Sequence, residues 1–432
     1  MSVYMIFLLL GGLGMFLYGM KMMSDRLEKV AGDRMRRVLE LLTTNRFAAV
    51  GVGTGVTALI QSSSATTVMV IGFVNAGLMS LLQATGVIMG ANIGTTVTGQ
   101  LIAFKLSDVA PFILFTGMLM TVFVKKRKIA RIGEVVLGFG ILFVGLGLMA
   151  DAMEPLRDNE TFRNILVNFK NPVIGILAGA VFTAIIQSSS ASVGILQSFA
   201  AIGLVGLDSA VYVVLGMNIG KCITAIIFAI GNSTNSKRTA GIHLLFNIIG
   251  TIVYLILLML FPGLVLFVES LSPGNGSRQI ANFHTMFNIT VTILLFPFTK
   301  YLVKLVTRII PEKKTAQDLE KKLLYLDEKI AQTPALALRQ VLKETERMGR
   351  MVSDSMKLAL EAFFETDEQK ADRVLETEKT IDFLCDGISR YLVEFRGYEL
   401  SGNDLRIMGS LHHVLIDLER IGDYAENIAE YA

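Results

Sequence analysis

Two nearly identical polar blocks interrupt apolar stretches of this 432-residue chain. The first reads Gln-Ser-Ser-Ser at Gln61–Ser64, and the second repeats it at Gln187–Ser190, 126 positions later. Hydroxyl and amide groups in a row offer hydrogen-bond donors to an oxyanion, and their oxygen atoms are ligands for a hard cation. Thr66 and Ser192 add one further hydroxyl at the same place after each block. These residue types therefore predict a site that binds small ions.

The elements that carry these blocks are predicted to be membrane helices. Of all residues, 52% are hydrophobic and only 18% are charged, and the mean hydropathy is +0.57. An ordinary soluble protein is far less apolar. We therefore expect an all-α polytopic membrane protein. Seven windows supply apolar length for a span, although the third is short: Val3–Met23, Leu81–Phe104, Pro111–Val124, Ile132–Met149, Ala210–Ile230, Ala240–Phe261 and Gln279–Val306.

The two blocks belong to a tandem repeat with a constant offset of 126 residues. The register holds without a gap from Gly12 to Thr98 of the first copy. Identical pairs include Gly12/Gly138, Gly19/Gly145, Gly53/Gly179, Gly90/Gly216, Asn92/Asn218 and Thr98/Thr224. A chance echo between two apolar segments would not keep one register over such a length. We assign repeat 1 to residues 1–131 and repeat 2, with an additional C-terminal helix, to residues 132–311.

Positive charge predicts how the two copies are oriented. The basic stretches Ser24–Arg46, Lys125–Arg131 and Lys237–Arg238 belong on the cytoplasmic side of the membrane. These assignments agree only if each Gln-Ser-Ser-Ser segment enters and leaves on the same side, as a re-entrant helical hairpin. Three crossings then remain in each copy, and an odd number turns the second copy upside down. The N-terminus is predicted outside and the C-terminal part in the cytoplasm.

In the predicted first hairpin, Thr54–Gln61 is the first arm, Ser62–Ser64 the turn and Ala65–Gly77 the second arm. Irregular backbone at membrane depth is tolerated where it lines an enclosed cavity. Helix N-termini that meet there present free N–H groups and a partial positive charge, which suit an anion such as phosphate. Asn92–Gly94 and Asn218–Gly220 predict unwound points that face the hairpins. Hydroxyl and amide groups that only pack helices together are the alternative interpretation.

The motifs "QSSSATT", "QSSSASV", "GANIGTT" and "GMNIGKC" give residues 1–310 a specific resemblance. They resemble the bacterial form of the type II sodium/phosphate cotransporter family. The resemblance implies uptake of inorganic phosphate across the plasma (inner) membrane by alternating access, with Na+ as the coupling ion. It also implies a homodimer in the lipid bilayer. The implied binding residues are Gln61, Ser62, Ser63, Ser64, Thr66, Asn92, Thr95, Gln187, Ser188, Ser189, Ser190, Ser192, Asn218 and Thr224.

Lys221 departs from the repeat and is a further candidate for the site. The first copy reads Asn92-Ile-Gly-Thr95, whereas the second reads Asn218-Ile-Gly-Lys221. If the ammonium faces the cavity, it is a candidate to pair with phosphate or to occupy a cation position, and either role would change the ion coupling. The alternative is that Lys221 lies in an aqueous vestibule.

The C-terminal part reads as a separate acidic domain. Residues 1–311 carry 23 Lys/Arg and 12 Asp/Glu, whereas residues 312–432 carry 17 and 25. Apolar residues at helical spacing, such as Ile381, Leu384 and Ile388, predict amphipathic helices. We expect a linker helix over 312–334 and a bundle of three helices over 335–365, 367–395 and 402–432.

Two Glu-x-x-x-Asp pairs in this bundle place carboxylates on one helical face: Glu378 with Asp382, and Glu419 with Asp423. These helices resemble the metal-binding helices of PhoU, the phosphate-regulon regulator. The resemblance implies a divalent or iron ion at the four carboxylates. A solvated acidic face without a metal is the alternative.

A sodium-coupled phosphate symporter with a cytoplasmic regulatory bundle is the leading hypothesis for function. The alternative is a membrane-embedded phosphate sensor that signals through the PhoU-like tail. A channel fits less well, because hairpins from both sides leave opposing gates. Neither an enzyme nor a nucleic-acid partner is expected, because the serines have no evident His/Asp partner and no nucleotide-binding loop is present.

Overall fold

The structure is a computed structural model. It describes residues 3–42, 45–75, 78–104, 106, 108–156, 159, 168–230, 232–311, 321–326, 334–394 and 402–432. All regular elements in this part of the chain are helices, as predicted. They form two compact units. One contains Met1–Ile71, Met79–Ile230 and Lys237–Ile309, and the other contains Ile310–Ala432 with the short segments Gly72–Leu78 and Gly231–Ser236.

The helices before residue 310 are mostly apolar. In chain order they are α1 (Val3–Leu42), α2 (Arg46–Ile60), α3 (Ser63–Asn75), α4 (Leu81–Ile102), α5 (Ala110–Phe123), α6 (Arg127–Met153), α7 (Pro172–Ile186), α8 (Ser189–Ala201), α9 (Leu207–Gly220), α10 (Cys222–Ala229), α11 (Thr234–Leu260), α12 (Gly263–Ser270), α13 (Gly276–Leu295) and α14 (Thr299–Ile309). Single turns of 3-10 helix lie at Glu154–Leu156, Asn168–Lys170 and Phe296–Phe298.

The helix boundaries reproduce the 126-residue repeat. The pair α2 and α3 is matched by the pair α7 and α8, and each pair is broken at the same two positions of the repeat. The helix that follows each pair also begins at equivalent residues, Leu81 in α4 and Leu207 in α9. The repeat in the sequence is therefore a repeat of helices as well.

The first helices of the two copies, α1 and α6, run in opposite directions against each other. A methyl group at Gly12 would meet the carbonyl oxygen of Gly145 at 2.9 Å, and one at Gly19 would meet that of Gly138 at 2.6 Å. The earlier of these two glycines in α1 thus faces the later one in α6, and the later one in α1 faces the earlier one in α6. Gly12 is equivalent to Gly138 in the repeat, and Gly19 to Gly145, so the contact is symmetric. This is the packing that an inverted repeat produces.

Five helical segments of the described chain are long and apolar enough to cross a membrane. They are Val3–Leu27, Ile129–Leu156, Leu207–Ala229, Thr234–Leu260 and Gly276–Ile309. The helices α2, α3, α5 and α7 are apolar but shorter. Helix α4 has 22 residues, contains Thr, Asn and Gln side chains, and is not among these five. Re-entry of the two hairpins and three crossings in each copy stay predictions.

Glycines bring α4 close to α2 in the first copy. A methyl group at Gly90 would overlap the carbonyl oxygen of Val50, and one at Gly94 would meet that of Thr54. Helix α4 is continuous through Asn92–Gly94, so the unwound point predicted there is wrong. These glycines are needed because the two backbones approach without room for a side chain.

The second copy repeats this packing between α9 and α7. A methyl group at Gly216 would overlap the carbonyl oxygen of Ile176, and one at Gly220 that of Ala180. Asn218–Gly220 is helical, so the second predicted unwound point is also wrong as stated. The helix is interrupted one residue later, at Lys221, where α9 ends and α10 begins.

The tail forms the predicted bundle of three helices. They are α15 (Pro334–Glu365), α16 (Glu368–Glu394) and α17 (Gly402–Glu430), close to the boundaries expected from helical spacing. Its apolar core includes Val341, Met348, Ile381, Leu384, Ile388 and Leu415. Most of the predicted linker helix over 312–334 lies outside the described residues, and the described stretch 321–326 forms bends rather than a helix.

Residues 321–326 are held against this bundle by a buried ion pair. Glu344 accepts a hydrogen bond from the Tyr325 backbone N–H at 2.6 Å. Arg347 donates to the Glu344 carboxylate at 2.6 Å and to the Lys322 carbonyl at 2.8 Å. Both charged side chains are almost fully buried. Removing either one would leave the other uncompensated, which is strongly destabilising for buried pairs.

We predict that Gly90→Ala and Gly216→Ala each destabilise the transmembrane unit. Overpacking of this kind typically costs about 1–3 kcal/mol. Gly51→Ala in α2 is the matched control, because a methyl group there meets nothing within 4 Å. The measurement is thermal unfolding of the detergent-purified protein. Equal stability of Gly90→Ala and Gly51→Ala would contradict the packing described.

Candidate functional site

Each Gln-Ser-Ser-Ser block begins with a glutamine in the left-handed backbone conformation. Gln61 has φ 61° and ψ 20°, and Gln187 has φ 59° and ψ 19°. The Gln61 N–H donates to the Thr57 carbonyl at 2.8 Å, which closes the last turn of α2. A left-handed residue other than glycine costs roughly 1–2 kcal/mol, so its presence in both copies marks a constrained site.

The break is shorter than the turn predicted over Ser62–Ser64. Ser63 already belongs to α3, so only Gln61 and Ser62 separate the two helices, and the first arm starts earlier, at Arg46. The reason is that Ser62 caps α3: its Oγ accepts a hydrogen bond from the Ala65 N–H at 3.2 Å. Ser188 does the same for the Ala191 N–H at 3.3 Å in the second copy.

A hydrogen bond across the break shows that the chain bends sharply between α2 and α3. Thr57 Oγ1 in α2 donates to Thr66 Oγ1 in α3 at 2.9 Å, and both residues are fully buried. In an unbroken helix, two residues nine positions apart would lie about 13 Å apart along the axis. The chain therefore bends at the break in the first copy, and the predicted re-entrant hairpin stays a prediction.

Thr98 of α4 joins the two motif copies. Its Oγ1 donates to Gln61 Oε1 at 2.7 Å and accepts a hydrogen bond from Ser190 Oγ at 3.4 Å. All three side chains are buried. The sequence predictions included Thr224 but missed Thr98, although the two are equivalent in the repeat. That equivalence was the signal that would have identified it.

The two copies differ in exposure at the motif. Gln61 is buried, whereas its equivalent Gln187 is exposed. Thr224 Oγ1 is buried and has no hydrogen-bond partner, whereas its equivalent Thr98 is bonded to Gln61. The chain is therefore pseudo-symmetric in its helices but not in its motif contacts.

The other motif hydroxyls lie around the two helix starts. Ser63, Ser189 and Ser190 are buried, and Ser62, Ser64 and Ser188 are partly exposed. Thr66 and Ser192 donate back to the carbonyls of Ser62 and Ser188, at 3.1 and 3.0 Å. The first N–H groups of α3 and α8 have no acceptor within their own helices, so together with the partly exposed hydroxyls they are donors for an anion.

Asn92 and Asn218 are buried and similarly oriented. Asn92 Nδ2 donates to the Ile88 carbonyl at 2.7 Å, and Asn218 Nδ2 donates to the Val214 carbonyl at 2.9 Å. Lys221, which is 2% exposed, donates from Nζ to Asn218 Oδ1 at 2.7 Å, so it does not lie in an open vestibule. Thr95, its equivalent, donates to the Ala91 carbonyl at 3.0 Å.

Gln197 of α8 is a second polar contact that the sequence predictions missed. It is fully buried, and its Nε2 donates to the carbonyls of Gly99 and Ser277, at 2.9 and 3.0 Å. It therefore ties α8 to α4 and α13. A single Gln in an apolar helix, outside the repeated block, gave no sequence signal for this role.

The tail contains a cluster of three carboxylates. Oxygen atoms of Glu378, Asp382 and Asp423 lie within 4.8 Å of one another. Glu378 is 3% exposed and neither of its oxygens has a hydrogen-bond partner. Gly422 makes room for it, because a methyl group there would meet Glu378 Oε2 at 2.6 Å. Carboxylate oxygens are ligands for hard cations, so the donor set fits a metal ion.

Electrostatics in this cluster favour either a proton or a cation. Burial and the nearby carboxylates of Asp382, Asp423, Glu426 and Glu419 raise the pKa of Glu378 to about 8. Burial and Asp423 also raise the pKa of Asp382 and of Glu419. Glu419 is not one of the three residues whose oxygens converge, so its predicted role as a ligand stays a prediction.

Comparison with known proteins supports a two-part chain. The model of a family described as Na+/Pi-cotransporter matches residues 15–151 and again residues 151–294. The model of the PhoU domain matches residues 345–432. No solved structure matches the chain significantly.

Three relatives illustrate the similarity. "Uncharacterized protein YqeW" of Bacillus subtilis is 37% identical over 69% of this chain and 96% of its own length. "Putative inorganic phosphate export protein YjbB" of Salmonella typhimurium is 28% identical over 97% of this chain and 76% of its own length. "Sodium-dependent phosphate transport protein 2A" of Rattus norvegicus is 32% identical over 30% of this chain and 23% of its own length.

We predict that a divalent cation stabilises the tail and that Glu378→Gln removes this effect. The pKa of Glu378 is ordinarily 4.5 and is about 8 in the folded protein. At a pH between these two values, the folded state holds a proton on Glu378 that the unfolded state has lost. Without metal, the stability of the folded tail therefore falls as pH rises through this window. The stabilisation by a cation that replaces the proton increases over the same window. At one hundred times its Kd, a cation contributes about 2.7 kcal/mol.

The measurement is thermal unfolding of the full chain in detergent at pH 6 and pH 8, with Mn2+ or with a chelator. Glu378→Gln should be more stable than wild type at pH 8 without metal, and insensitive to Mn2+. Glu376→Gln, an exposed carboxylate on the same helix, is the control and should behave as wild type. Undiminished Mn2+ stabilisation of Glu378→Gln would contradict the site.

Proposed function

The chain belongs to the Na+/Pi-cotransporter family, and we propose that it is a secondary active transporter that couples the movement of inorganic phosphate to sodium. Phosphate and the coupling ions bind between the two Gln-Ser-Ser-Ser helix breaks. The tail is a PhoU-like regulatory domain that binds a divalent or iron ion. The transporter works in the lipid bilayer of the plasma membrane as a homodimer.

The observation that carries this proposal is the meeting of the two motif copies at Thr98. Gln61 of the first copy and Ser190 of the second both bond to that one hydroxyl, so residues 129 positions apart share one buried polar contact. Near these residues begin two helices whose N-termini favour negative charge. Phosphate needs several donors and partial positive charge, which this arrangement supplies from backbone and hydroxyl groups.

The two motif copies differ in exposure and in hydrogen bonding, and this difference supports alternating access. In an inverted repeat, each copy adopts in one state the conformation that the other adopts in the opposite state. Gln61 is buried against Thr98, while Gln187 is exposed and Thr224 lacks a partner. In the opposite state, Gln187 takes the Thr224 hydroxyl and Gln61 becomes exposed.

We propose uptake as the direction, because an inward sodium gradient drives a coupled anion inward. Export is the second candidate, because a relative whose printed name states phosphate export aligns with 97% of this chain, including the tail. A phosphate sensor without transport is the third. Labelled-phosphate flux in reconstituted vesicles tests these candidate functions. A sodium gradient that drives phosphate into the vesicles supports symport. No movement of phosphate in either direction would favour the sensor.

We predict that Ser62→Ala and Ser188→Ala each lower phosphate transport by about tenfold or more, since a hydrogen bond to a charged group contributes about 1.5–3 kcal/mol. The measurement is the initial rate of sodium-driven phosphate flux in proteoliposomes, normalised to inserted protein. Each substitution also removes a helix cap, which costs about 1 kcal/mol on its own.

Ser80→Ala is the matched control for this prediction. Ser80 caps α4 by accepting from the Gln83 N–H at 3.3 Å, so its substitution has the same structural cost away from the motif. It should keep the wild-type rate. Wild-type flux in both motif variants would remove the serines from the transport site.

The proposed orientation places the N-terminus outside and the tail in the cytoplasm. We predict that cysteines at positions 126 and 237 react only from the cytoplasmic side and that a cysteine at position 159 reacts only from outside. All three positions are exposed. The background is Cys385→Ser, because Cys222 is buried. Labelling of positions 126 and 159 from the same face by an impermeant maleimide would refute the orientation.

A further inference from the structure

The second copy contains a buried positive charge that the first copy lacks. Lys221 is 2% exposed and its ammonium donates to Asn218 Oδ1 at 2.7 Å. Among the described residues, no carboxylate pairs with it within 4.0 Å. The titratable groups near this ammonium are Cys222, His243 and His284, none of which is a carboxylate. Its partner is thus a neutral amide oxygen, the kind of ligand that also binds a free cation.

The first copy has the same amide in the same setting without the lysine. Asn92 is 1% exposed, and its Nδ2 is bonded to the backbone as that of Asn218 is. Its Oδ1 is buried and has no hydrogen-bond partner. Thr95 stands where the second copy has Lys221, and its hydroxyl is bonded to its own helix. The Asn218 amide oxygen therefore accepts a hydrogen bond from a tethered cation. The equivalent oxygen of Asn92 has no donor in the protein.

We propose that the Lys221 ammonium is a built-in cation that fills the second-copy position, whereas a monovalent cation from solution binds at Asn92 Oδ1 in the first copy. The inference rests on the proposed function and deepens it by stating which copy takes the coupling ion. A tethered charge helps to neutralise phosphate but does not travel with it. The chain therefore binds one fewer free cation than a transporter with a hydroxyl at both positions.

The test measures sodium binding without phosphate, so that it is independent of transport. The full chain is titrated with NaCl in detergent at constant ionic strength, with choline chloride as the balancing salt, and thermal stability is recorded. Lys221→Thr restores the residue of the first copy and should give a larger and steeper sodium response. Lys221→Met removes the charge without adding an oxygen and should not gain this response.

The reciprocal variant places a second tethered cation in the first copy. Thr95→Lys should abolish the sodium response or shift its midpoint by about tenfold or more. If Thr95→Lys does not fold, the comparison of Lys221→Thr with Lys221→Met decides the question alone. Identical sodium curves for those two variants, or a folded Thr95→Lys with the wild-type curve, would overturn the proposal.

Phosphate flux is then measured against sodium for the same Lys221 variants. A steeper dependence for Lys221→Thr is expected. If no flux is found in any variant but the sodium titrations behave as stated, the proposed transport fails and the cation assignment stands. If both Lys221 variants lose phosphate binding while their sodium titrations match that of wild type, the ammonium is a phosphate ligand and the tethered-cation proposal is wrong.

Discussion

The helix break at each Gln-Ser pair is the constraint on which the transmembrane unit depends. In an apolar surrounding, a break is tolerated only if the backbone groups that it frees find partners. Gln61 and Gln187 close one helix through a left-handed turn, and Ser62 and Ser188 cap the next. What the caps leave free is a set of N–H donors at two helix starts. The polar block thus stabilises the break and leaves hydrogen-bond donors for the proposed binding site.

The helices around the breaks are arranged to hold them in place. Glycines allow α2 to lie against α4, and α7 against α9, with no room for a side chain between the backbones. Thr98 and Gln197 then connect the first copy to the second through buried hydrogen bonds. Because interfaces this close cannot deform gradually, a change of state requires one set of polar contacts to be exchanged for another.

The tail also contains a buried polar group that needs an ionic partner. Glu378 is buried without a partner among acidic neighbours, which raises its pKa to about 8. Such a group is stable with a proton or with a cation, and the choice between them depends on pH and on the available ion. The tail therefore contains a proposed ion-binding element of its own, within a bundle whose core is otherwise apolar.

The sequence by itself determined the class, the repeat and the two polar blocks, because apolar length, a constant 126-residue offset and helical spacing are local properties. It also predicted the three tail helices to within a few residues. Only the tertiary structure decided that Asn92–Gly94 stays helical, since its glycine serves contacts with a distant helix. The tertiary structure also decided the hydrogen-bond partners of Thr98 and Gln197 and the bond between Lys221 and Asn218. These features depend on which helices approach each other and on which partner each buried polar atom finds, and neither is encoded within a single segment.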